Sequence, residues 1–95
     1  MSILEMPNPM DVLHEAVAGT VFDTPERIGP LMQDIRALLQ SLGGDVRAGN
    51  LTKTVRQGVY FLRTSHHRRD VIADFFDFYP EDATVAEILK AMEHV

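Results

Sequence analysis

A chain of 95 residues with 45% hydrophobic and 24% charged side chains has the length and balance of one small globular domain, and is too apolar to read as disordered. It has no cysteine, which excludes disulfides, thiolate chemistry and cysteine-based zinc sites together. Nine basic against fourteen acidic residues give a net charge of -5, but the distribution is uneven: residues 46–69 hold six of the nine basic side chains and no acid, a +6 segment inside a -11 remainder.

The first residues lack the basic start and apolar run of a signal peptide, and no stretch approaches the roughly 20 apolar residues of a membrane span. Residues 1–7 read as a tail, residues 8–95 as a single helical domain, and a cytoplasmic setting is expected. Asn8-Pro9-Met10-Asp11 opens the first helix. Asn caps it, Pro occupies a position where the missing N–H costs nothing, and Asp11 faces the positive end of the dipole. Met10, Leu13 and Val17 form its stripe and Gly19 ends it. Thr24-Pro25-Glu26 repeats the start signal. Ile28, Leu31, Met32, Ile35, Leu38, Leu39 and Leu42 then make the clearest helical stripe in the chain, closed by Gly43-Gly44. Pro30 would delete a backbone hydrogen bond inside that helix, so a kink or a fresh start is expected there.

A glycine-rich connector is read over 43–50. The segment after it is ambiguous, because Val55, Val59, Tyr60, Phe61 and Leu62 are also strand formers. With a helical period Leu51, Val55, Val59 and Leu62 share one face, and Lys53, Arg56, Tyr60, Arg63 and His67 gather on the other. A period of two gives mixed faces. Helix is therefore preferred, capped by Asn50, with a strand over 51–62 as the alternative, which would make the fold α+β. Ser65 caps the next helix, which carries Val71, Ile72, Phe75, Phe76, Phe78 and Tyr79 on a wide apolar face and Asp70, Asp74 and Asp77 on the reverse; Pro80 ends it. Thr84-Val85-Ala86-Glu87 is a capping box opening the last helix, with Val85, Ile88, Leu89, Met92 and Val95 along one side. Caps and stripes agree on an all-α bundle of about five short amphipathic helices.

Several chemistries find little support. Gly44 and Gly49 have the spacing of a phosphate-binding loop, but Asn50 and Leu51 stand where lysine and a hydroxyl are needed. His66 and His67 point about 100° apart on a helix, and His14 and His94 are remote, so no metal site is read. Asp70, Asp74 and Asp77 lack the carbonyls and turn glycine of a calcium loop and read as a solvated acidic face. No nucleophile motif is present, and neither cofactor nor small-molecule substrate is expected.

The expected function is a non-enzymatic protein-binding module: a regulator, adaptor or inhibitor. Lys53, Arg56, Tyr60, Arg63, His67, Arg68 and Arg69 would meet an anionic surface, and Phe75, Phe78 and Tyr79 would supply apolar anchors. The expected partner is another protein or a second copy of this one, since a small domain need not cover all of so wide an apolar face. Two alternatives use the same residues. A nucleic-acid-binding regulator would use the stripe over 53–69, against the repulsion of the acidic remainder. An acidic inhibitor of a nucleic-acid enzyme would imitate phosphates with Asp70, Asp74, Asp77, Glu81 and Asp82.

Overall fold

The computed structural model describes residues 6–58 and 66–93. Five helices form among them: α1 (Pro9–Val17), α2 (Pro25–Gln40), α3 (Ala48–Arg56), α4 (His66–Asp77) and α5 (Val85–Met92). β-Pairing among the described residues is limited to one antiparallel bridge, between Arg47 and Thr84. The protein is an all-α bundle, 33 × 26 × 18 Å.

The helix starts follow the local chemistry in three cases. Asn8 caps α1 through its side-chain oxygen, which accepts the N–H groups of Met10 at 2.9 Å and Asp11 at 3.3 Å. Thr24 precedes Pro25 at the start of α2, although its hydroxyl makes no capping bond. Thr84 and Glu87 form the full capping box of α5, each side chain bonding the other's backbone N–H.

Two expectations are corrected. Pro30 does not restart the second helix, because α2 runs from Pro25 to Gln40 as one element. Pro30 and Gly29 lie on its exposed side, so the carbonyl that loses its N–H partner is left to water rather than to the core. The third helix begins before Asn50, at Ala48 behind an N-cap Arg47. Its first donors are satisfied from another part of the chain: Ala48 N–H donates to the Ala83 carbonyl at 2.8 Å and Gly49 N–H to the Glu81 carbonyl at 3.0 Å. α5 reciprocates, with Val85 N–H on Val46 at 2.8 Å and Ala86 N–H on Gly44 at 3.1 Å. The glycine-rich connector is thus tied across to the α4–α5 turn. The strand alternative for 51–62 gives way to helix through Arg56; residues 59–62 lie outside the described residues, as do Ser65, His94 and Val95.

α4 packs against α3 and α1, α1 also meets α2 and α5, and α2 packs on α5. Val71, Ile72, Ala73, Phe75, Phe76 and Tyr79 are all buried. Phe75 meets Phe76 edge-on at 5.3 Å between ring centres and Tyr79 at 5.5 Å, both favourable offsets of the ring quadrupoles. Leu13, Ile35, Leu39, Leu51, Val55 and Ile88 close around this cluster in one continuous core. Gly58 ends the α3 region at φ 77°, a left-handed conformation that suits glycine, and a Cβ there would stand 2.8 Å from Nη1 of Arg69.

Candidate functional site

The packing of α3 sorts the basic stripe. Leu51 and Val55 point inward with no exposed surface, so Lys53 and Arg56 face outward as the helical period requires. Arg56 then turns to α4, where its Nη2 donates to Oδ1 of Asp74 at 2.8 Å. Arg68 pairs with Asp34 of α2. Both ion pairs are largely solvated, worth between about 0 and 1 kcal/mol each. They still neutralise two of the cations that were expected to meet a partner. His67 is exposed near the start of α4, and the guanidinium of Arg69 lies over Gly58. Tyr60 and Arg63 lie outside the described residues.

The apolar anchors divide as well. Phe75 and Tyr79 belong to the protein's own core, 0% and 4% exposed, so they are not docking residues in this fold. The five helices and Met6, from the N-terminal segment, cover most of this apolar face and leave Phe78 as its open part. The Tyr79 hydroxyl reaches the Pro7 carbonyl at 3.4 Å, and burial pushes its pKa up, so the phenol stays protonated. Phe78, just past the end of α4, remains 49% exposed. On the acidic side Asp70 and Asp77 are exposed without an ion pair among the described residues, whereas Asp74 is engaged by Arg56.

The reciprocal pairing of the α3 and α5 starts builds a shallow groove that the sequence reading missed. Arg47, Gly49, Asn50, Lys53 and Glu81 line about 190 Å³. Gly49 allows the approach, since a Cβ there would lie 3.3 Å from Cβ of Glu81. Arg47 and Lys53 are exposed, and neither has an ion pair among the described residues. Arg47 stood inside the acid-free window, but only the earlier start of α3 brings it beside Lys53.

A larger groove of about 350 Å³ lies between the α1–α2 turn and α4, lined by Gly19, Thr20, Val21, His67, Asp70, Val71 and Asp74. Its exposed apolar residue, Val21, carries no signal in a helical pattern because it sits in a turn.

Among the described residues no three histidines, aspartates or glutamates come together as cation ligands, and no helix is long and apolar enough to cross a membrane. In comparisons with protein-family models, curated proteins and solved structures, nothing matches this chain.

Proposed function

We propose that this protein is a non-enzymatic protein-binding module, acting in the cytoplasm as a regulator, adaptor or inhibitor. The observation that carries the reading is the pair Arg47 and Lys53. They remain exposed around one groove without an ion pair among the described residues, while Arg56 and Arg68 are engaged within the chain. Two exposed cations around one groove suit a protein surface that offers carboxylates, and Phe78, exposed elsewhere on the chain, is available as an apolar contact. The -11 remainder of the chain repels a polyanion, which favours a protein over a nucleic acid. With Phe75 and Tyr79 covered, the reading also favours a different protein over a second copy.

Affinity capture followed by mass spectrometry tests it. The wild-type chain is expected to retain a partner that Arg47→Glu with Lys53→Glu releases and Phe78→Ser weakens. The companion measurement is binding to duplex DNA, single-stranded DNA and RNA across a salt series. Saturable binding that falls steeply with salt and depends on Arg47 and Lys53 overturns the proposal in favour of a nucleic-acid-binding regulator.

A further inference from the structure

The turn between α1 and α2 exposes a branched apolar side chain, Val21. Val21 is 63% exposed, yet hydrogen bonds hold the backbone around it. Gly19 takes φ 79° at the end of α1, and Thr20 N–H donates to the Val17 carbonyl at 2.9 Å. The Thr20 hydroxyl donates to the same carbonyl at 2.6 Å and accepts from Phe22 N–H at 3.1 Å. Nη1 of Arg27 then holds the Val21 carbonyl at 2.8 Å. Val21 therefore stands beside the groove on a pre-organised turn, and docking against it orders little backbone.

The opposite wall is α4. Val71, 4% exposed, gives the groove an apolar lining residue, and Asp70 and Asp74 bring carboxylates to it. Asp74 already binds Arg56 through Oδ1; Asp70 has no ion pair among the described residues. His67 and the polar Thr20 complete the lining.

We infer that this groove is a second docking surface, which takes an aliphatic side chain of a partner protein with a lysine or arginine beside it. The aliphatic group packs against the exposed Val21, and the basic group reaches Asp70. Charge complementarity selects this occupant over an acidic or purely apolar one. The inference rests on the reading of the chain as a protein-binding module, but on residues separate from Arg47, Lys53 and Phe78.

The test is a titration of the full ¹⁵N-labelled protein, to millimolar concentration, with a short capped peptide holding a leucine between two arginines. Control peptides replace the leucine by alanine or the arginines by glutamates. Saturable amide shifts are expected to cluster on residues 19–21 and 70–74. Affinity should fall about tenfold with Val21→Ser and with the alanine peptide, the order of change that loss of one buried apolar side chain produces, and about two- to fivefold with Asp70→Asn and with the glutamate peptide, as loss of an exposed charge pair does. Asp82→Asn should leave it unchanged. The inference is overturned by shifts spread evenly over the acidic surface, by an equal loss with Asp82→Asn, by no saturable shift, or by a dimer in light scattering that Val21→Ser dissolves. Because these variants leave the α3 groove intact, peptide binding here with failed capture there refutes the functional reading alone.

Discussion

α3 and α5 begin side by side, joined by the Arg47–Thr84 bridge, yet their first turns are held in different ways. α5 carries its own cap: Thr84 accepts from Glu87 N–H at 3.3 Å, and the Glu87 carboxylate accepts from Thr84 N–H at 3.0 Å. α3 starts behind an arginine whose side chain makes no capping bond, and its first two N–H groups are taken by carbonyls of the α4–α5 turn. One start is written in four consecutive residues. The other exists only once the turn has been brought alongside, so folding α3 and docking it are coupled steps. The same coupling places Arg47 next to Lys53 and so creates the groove on which the functional reading rests.

If docking holds α3, its buried anchor should matter most. Leu51→Ala removes a fully buried side chain from the first turns of α3 and is expected to cost about 2–5 kcal/mol in urea unfolding. A loss below about 1 kcal/mol would mean that α3 stands without its neighbours, which breaks the comparison. The next effect is local. Thr84→Ala deletes the capping box of α5 and should cost about 1 kcal/mol by the same measurement. Smallest is Arg47→Ala, expected to change stability by less than about 0.5 kcal/mol, because its side chain caps nothing and lies exposed. That near-neutrality sharpens the functional test too, since partner loss in an Arg47 variant then reports on the groove rather than on unfolding.

Much of the fold was legible where the information is local. Asn8, Thr24 and Thr84 mark their helices, and the stripe from Ile28 to Leu39 falls inside. Outward placement of Lys53 and Arg56 followed from the 3.6-residue period alone. The candidate sites were less legible, because each joins residues distant in sequence. Arg56 meets Asp74, and Arg68 meets Asp34, only after α3, α4 and α2 have packed. Val21 and Asp70 share a groove although a turn and an entire helix pair separate them. At the end of α4 and just past it, Phe75, Phe78 and Tyr79 looked equivalent as apolar side chains, and the packing of Met6 and the other helices decided which of them water reaches.

By itself, then, the order of residues determined that this chain is helical, where most helices start, and which face of each is apolar, because capping bonds and helical periodicity act within a few residues. It also determined the separation of charge into a basic segment and an acidic remainder. Tertiary structure alone decided which of those charges neutralise one another, that α3 begins at Ala48, and that Phe78 and Val21 remain at the surface. The physical reason is reach. Ion pairs, borrowed carbonyl caps and the covering of an apolar face depend on distances of a few ångströms between segments, and only the packing of the core sets those distances.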